Sequence, residues 1–261
     1  MIPPLAAEAI GHVGSFPITN SIVTTAIASL ALLSVAVITR TRRAMVPRGF
    51  QNAAEGVVEF FLSYIEQVTN DKVRARKFLP IVGTLFLFIL VSNWMGLIPG
   101  VSSIGRWMFV HGERELVPLF RPAMSDLNTT LALAVFSIVA THIFGIIAIG
   151  FFKHIGKFLQ FGAIVHGFKK GGVNILVGFI EFGVGLIETI AEVAKMISLS
   201  LRLFGNIFAG EVLLTVIGSL IAFLAPLPFM GLELIVGFIQ ATVFAMLTLV
   251  FMTVLTEKPH H

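Results

Sequence analysis

Ile197-Ser198-Leu199-Ser200-Leu201-Arg202-Leu203-Phe204-Gly205-Asn206-Ile207-Phe208-Ala209-Gly210-Glu211 sets one arginine inside an otherwise apolar stretch. An arginine at mid-bilayer costs about 2.5–3.5 kcal/mol on insertion scales, and its guanidinium stays charged at any accessible pH. No water-facing end of the apolar run lies within a few residues. Such a charge is retained for a partner or for conduction, so the stretch is the first candidate for a site. The plainer alternatives are an arginine that snorkels to an interface or one that fixes helix packing. At about 100° per residue, Glu181, Glu188, Lys195 and Arg202 recur along one helical stripe. Ser198 and Asn206 lie one turn either side of Arg202 on the same face, and Glu192 is near its edge. Glu211 points to the opposite side. Ionisable groups on one stripe, with Leu, Ile and Phe elsewhere, describe a helix facing a polar partner or a watery cleft.

The composition places the whole chain in a membrane. Hydrophobic residues make up 56% of the 261 residues and charged residues only 12%, with a mean hydropathy of +0.96. A soluble domain has about twice that share of charge. The absence of cysteine excludes disulfides and thiolate metal sites. The net charge of +4 would fit nucleic acid, but the basic residues are distributed as topology markers instead.

Residues 1–17 form a short lead without the basic start and small-residue cleavage site of a secretory signal. A first span is expected over 18–39, followed by Arg40, Arg42, Arg43 and Arg48, with Pro47 and Gly49 breaking the helix. Over 50–70, Phe50, Ala54, Val57, Val58, Phe61, Ile65 and Val68 share one face, and Gln51, Asn52, Glu55, Glu59, Ser63, Glu66 and Gln67 fill much of the other. That pattern predicts an amphipathic helix lying along the membrane surface. Lys72, Arg74, Arg76 and Lys77 precede a second span over 78–99, where Asn93 fits either a packing hydrogen bond or a water path. A polar loop over 101–121 leads to a third span over 127–152. Asp126 at its start suits a helix N-cap or a proton relay, and His142 within it suits a hydrogen bond to a neighbouring helix or a relay.

Residues 173–224 then run without a proline for about 78 Å if helical, more than twice the bilayer core. The segment either breaks near Gly205-Asn206 or lies steeply tilted. Ala225-Pro226-Leu227-Pro228 turns the chain into a last apolar segment, 229–255, which holds Glu233 and Gln240.

The stretch around Arg202, together with Ser92-Asn93-Trp94-Met95-Gly96-Leu97-Ile98-Pro99-Gly100 and Pro122-Ala123-Met124-Ser125-Asp126-Leu127-Asn128-Thr129-Thr130-Leu131, resembles subunit a of the rotary F-type ATP synthase, the stator half of its proton channel. With Gln240, these markers cover most of the chain from residue 90 onward; the first 75 residues match only in layout. The resemblance implies an all-α polytopic membrane protein, with five embedded helices and one amphipathic surface helix in a single domain. It implies that the last two embedded helices form a long tilted hairpin against the c-ring. It also implies two offset half-channels that load and unload protons on ring carboxylates, with b-type subunits of the peripheral stalk and the lipid bilayer as further partners. Arg202 becomes the essential arginine, with Asn206 and Gln240 near it. Glu211 belongs to one channel with Glu233 as its counterpart, and Glu188 and Ser198 lie near the other. Lys195, Glu192, Asp126 and His142 complete the candidate residues. No cofactor, bound nucleotide, nucleic acid or catalytic centre is expected on this chain.

Lysine and arginine counts give the orientation. Eight lie within 40–77, four within 153–170 and one at Lys258, against Arg106, Arg114 and Arg121 in the opposite loops. That bias predicts five crossings of a bacterial or mitochondrial inner membrane, with the N-terminus outside and the C-terminus inside. A break at Gly205 would make six. Two other readings remain at this stage. A secondary transporter would show inverted repeats, which are not found. A structural scaffold would make Arg202 a packing residue.

Overall fold

The computed structural model describes residues 4, 6–41, 49–100, 104–110, 113–158, 173–221 and 224–257. Five of its helices are long and apolar enough to cross a membrane: α1 (Asn20–Thr41), α3 (Lys72–Gly96), α4 (Leu127–Ile149), α6 (Val173–Leu220) and α7 (Pro226–Thr256). The amphipathic α2 (Phe50–Thr69) stands before α3, and the short α5 (Phe151–Phe158) follows α4. Arg42, Arg43, Arg48, Lys169, Lys170 and Lys258, used above as topology markers, lie outside the described residues.

The helices end where local chemistry ends them. The second span begins at Lys72, six residues before the predicted start, because Asp71 caps it. The Asp71 carboxylate accepts from the backbone N–H of Val73 at 2.8 Å and of Arg74 at 3.3 Å. The basic residues therefore occupy the first turns of α3 instead of a loop. At the far end of α4, Gly150 takes a φ of 88°, a left-handed conformation open to glycine, and the chain turns into α5. The segment holding Arg202 runs unbroken through Gly205 and Asn206 as one helix of 48 residues, about 72 Å long. The break that would have added a sixth crossing is absent.

Two small antiparallel ribbons interrupt the segments expected to be loops. Strands β1 (Ala9–Val13) and β2 (Phe16–Thr19) pair just before α1, and β3 (Gly105–Val110) and β4 (Glu113–Pro118) pair between α3 and α4. A one-turn 3₁₀ helix, Ala123–Ser125, then leads into α4.

The interior lies between α3, α4, α6 and α7. Phe78, Val82, Ile89, Leu203, Phe244 and Leu249 are almost wholly buried there, and α2 adds Phe61 and Ile65. Lipid offers no hydrophobic drive for helix association, so small residues and hydrogen bonds hold such crossings. The Ser137 and Thr248 hydroxyls meet at 2.7 Å between α4 and α7, and those of Thr130 and Ser200 at 3.1 Å between α4 and α6. Asn93 Nδ2 donates to the Gly237 carbonyl at 3.3 Å, and Trp94 Nε1 to that of Leu234 at 3.1 Å, joining α3 to α7. Helices α6 and α7 run antiparallel. Asn206 bonds Gln240, while one turn further on Gly210 packs against Glu233.

Candidate functional site

Arg202 lies on the uncovered face of α6. Leu199, Leu203, Ile207 and Gly210 turn into the protein, whereas Ser198, Leu201, Arg202, Gly205, Asn206 and Ala209 are exposed. Among the described residues the Arg202 guanidinium has no hydrogen-bond or ion-pair partner. One turn away, Asn206 Nδ2 donates to Gln240 Oε1 at 2.7 Å, and Gln240 is only 4% exposed. The arginine thus has a fixed polar neighbour and an open side.

Glu211 points inward, as its spacing from Arg202 requires. It lines a cavity of about 210 Å³ together with Glu233, Asn93, Pro122, Ile207 and Thr215. The two carboxylates differ in how they are held. Glu211 accepts from Arg121 Nε at 2.9 and 3.1 Å. Glu233 makes no hydrogen bond among the described residues, and its carboxyl group rests against Gly210, where glycine leaves the room for it. The Asn93 amide makes a packing hydrogen bond that ties α3 to α7, and the residue also lines this cavity. Gln240 stays out of the cluster because it pairs with Asn206.

A second group gathers where α4, α5, α6 and α7 converge. Lys195 Nζ donates to Glu192 Oε1 at 2.6 Å, and His142 Nε2 stands 3.9 Å from Glu192 Oε2. His142 Nδ1 shares a hydrogen bond of 3.0 Å with His154 Nε2, and Lys195 Nζ sits 5.0 Å from the centre of the Phe251 ring. Glu192 and His154 are both buried, and the glycine at 145 allows the His154 ring to approach α4. Glu188 remains half-buried beside this group and Glu181 is exposed. Asp126 caps α4, accepting from the Asn128 N–H at 3.0 Å, and also takes the Ser21 hydroxyl at 2.7 Å.

Two of these residues are absent from the sequence-based set, Arg121 and His154. Arg121 was read as one of three loop charges. The only signal for it is its position, between the apolar Leu119-Phe120 and the Pro122-to-Asp126 motif. His154 follows the third span in an ordinary basic segment and gives no signal at all.

Known proteins resemble this chain over most of its length. The model of the family described as ATP synthase A chain matches residues 21–253. The ATP synthase subunit a of Moorella thermoacetica is 34% identical over 240 residues, which are 92% of this chain and 92% of that protein. The ATP synthase subunit a of Mycobacterium ulcerans is 34% identical over 250 residues, covering 93% of this chain and 90% of that protein. That of Campylobacter jejuni subsp. doylei is 33% identical over 235 residues, 88% and 89% respectively. With five apolar helices and a match over nearly its whole length, the chain is an integral membrane protein of the F-type ATP synthase complex and belongs to the ATP synthase subunit a family.

Proposed function

We propose that this chain is the stator of the proton channel, with two offset half-channels separated by Arg202 that load and unload protons on carboxylates of a rotating c-ring. One observation carries the reading. Arg202, a permanent charge well inside a 48-residue helix, is exposed and unpaired among the described residues. Such a cation needs an anion from outside the chain, and a passing ring carboxylate supplies one. Attraction to Arg202 favours ionisation of that carboxylate, so it gives up its proton on one side and reloads on the other. The fixed charge also blocks a direct leak between the two routes.

The two polar groups provide the routes. The Glu211–Glu233 cavity lies at the α6–α7 turn, with Asn206 and Gln240 between it and Arg202. The Glu192, Lys195, His142 and His154 group lies toward the opposite end, with Ser198 leading along α6 to Arg202 and Glu188 one turn beyond the group on its far side. With the N-terminus outside, the first group faces the periplasm or intermembrane space and the second the cytoplasm or matrix. A proton crossing this path gains about 2.3 kcal/mol per 100 mV, which drives rotation. Asp126 acts as a cap in this scheme. The b-type subunits of the stalk complete the stator.

ATP-driven proton pumping in vesicles holding the whole complex, wild type against Arg202→Ala, tests the reading, with assembly verified by blot. Loss of pumping by at least about tenfold in an assembled complex is expected, a barrier change of roughly 1.4 kcal/mol or more. Retained pumping would reduce Arg202 to a packing residue.

A further inference from the structure

We propose that Arg121 is a positioning residue of the proton path: it fixes the Glu211 carboxylate at the cavity wall, leaving Glu233 as the carboxylate that moves. The inference rests on the reading of Glu211 and Glu233 given above. By sequence Arg121 is a loop residue between β4 and the 3₁₀ turn, and such a charge belongs in water. Instead it is 2% exposed. Each of its three nitrogens donates. Nε serves both Glu211 oxygens, Nη1 donates to the Ala6 carbonyl at 3.2 Å, and Nη2 to that of Pro4 at 2.8 Å. The Phe208 ring lies 5.9 Å from the guanidinium carbon, and the Arg121 backbone N–H donates to Thr24 Oγ1 at 3.3 Å.

A buried cation is retained when each of its nitrogens finds an acceptor, and a lysine cannot reproduce a planar fork that reaches separate segments at once. Nη1 and Nη2 tie the N-terminal segment to the stretch that carries Arg121. Glu211, held at its carboxylate, loses the rotamer freedom that Glu233 keeps. The pair then divides the work. Glu211 is a stationary group at the wall, and Glu233, seated on Gly210, turns between the wall and the Arg202 face. The charged groups facing Glu211 are Arg121, Glu233 across the cavity and Glu8 of the N-terminal segment. The Ser125 side chain also stands beside Glu211, Thr24 on α1 accepts from the Arg121 backbone, and Asp126 is occupied by Ser21.

The test uses inverted vesicles holding the whole complex, with ATP-driven pumping recorded over a range of lumenal pH. Arg121→Gln in an assembled complex is expected to lower pumping by about tenfold, the scale of one lost charge-assisted hydrogen bond. In a Glu211→Gln background the same change is expected to add less than about twofold, because Arg121 acts through Glu211. Arg121→Lys is expected to assemble, to pump, and to show a displaced pH profile, which a purely structural role would not produce. Wild-type pumping in Arg121→Gln, or losses that multiply in the double variant, would overturn the proposal. Where Arg121→Gln fails to assemble or Glu211→Gln leaves nothing to measure, the Arg121→Lys profile decides, and a wild-type profile overturns it. Arg202→Ala is run alongside. Pumping retained there sinks the proton-path reading itself, whereas its loss beside an indifferent Arg121 sinks only this inference.

Discussion

Gly210 shows how one missing methyl group shapes the site. A Cβ at this position would overlap the carboxyl group of Glu233, the movable end of a flexible side chain. The fold can absorb Gly210→Ala by turning Glu233 away, but the cavity cannot. The complex is expected to assemble in near wild-type amounts while ATP-driven pumping falls by about tenfold. Shortening the neighbour, Glu233→Asp, should restore part of the loss by making room for the methyl group. Wild-type pumping in the single variant would mean that Glu233 works equally well elsewhere. Residues of this kind divide by how far the sequence could show them. Arg202 was legible alone, because a guanidinium in an apolar run is costly wherever the chain goes. The opposed directions of Arg202 and Glu211 followed from helical spacing. Arg121 was not legible, because its meaning depends on Glu211, which lies 90 positions away with no periodic relation. Only the fold brings the two together.

At the scale of elements, helix starts were misjudged for a local reason. Lys72, Arg74, Arg76 and Lys77 look like a basic loop, yet Asp71 is a good N-cap and pulls them into α3. The backbone N–H groups of Val73 and Arg74 hold the Asp71 carboxyl below the usual carboxylate range. A depressed acid stabilises the folded state above its unfolded value, and the contribution disappears as pH falls through the folded value. Asp71→Ala should therefore speed amide hydrogen exchange at the start of α3 near neutral pH. Once the medium is acid enough to protonate Asp71, wild type and variant should exchange alike. A difference that persists in acid would assign the effect to something other than the carboxylate. Between helices, the Ser137–Thr248 bond is buried and Thr248 also donates to its own helix at Phe244. Ser137→Ala should cost about 0.6 kcal/mol, and no more than roughly 1.7, the range found for such bonds in membranes. Unfolding in mixed micelles would measure it. The spans themselves were legible because lipid demands long apolar helices. The ribbons were not, since strands of four to six residues are too short to carry that signal.

For the molecule as a whole, the informative surface is the one its own helices leave uncovered. Exposed Leu, Ile and Val on α1 and on the first half of α6 are ordinary for a protein solvated by lipid. The arc around Arg202 differs, because Ser198, Gly205 and Ala209 keep it low while a charge stands at its centre. A low profile around a cation unpaired among the described residues suits a surface that slides past a close neighbour. Gly205 separates this idea from simple packing. A Cβ added there meets nothing within 4 Å in this chain. Replacing glycine by leucine in a helix interior should also favour the helix, by somewhat less than the ~0.8–1 kcal/mol that separates glycine from alanine. Gly205→Leu should therefore leave the folded chain at least as stable as wild type. On the proposed reading the same side chain would stand between α6 and a rotating ring, so pumping and ATP synthesis should both be lost with assembly intact. Gly156→Leu on α5, where an added Cβ also meets nothing within 4 Å, is the control and should pump normally. If both variants pump alike, the ring passes over another face of this chain. If only Gly205→Leu fails, the arc around Arg202 is the face on which the rotor turns.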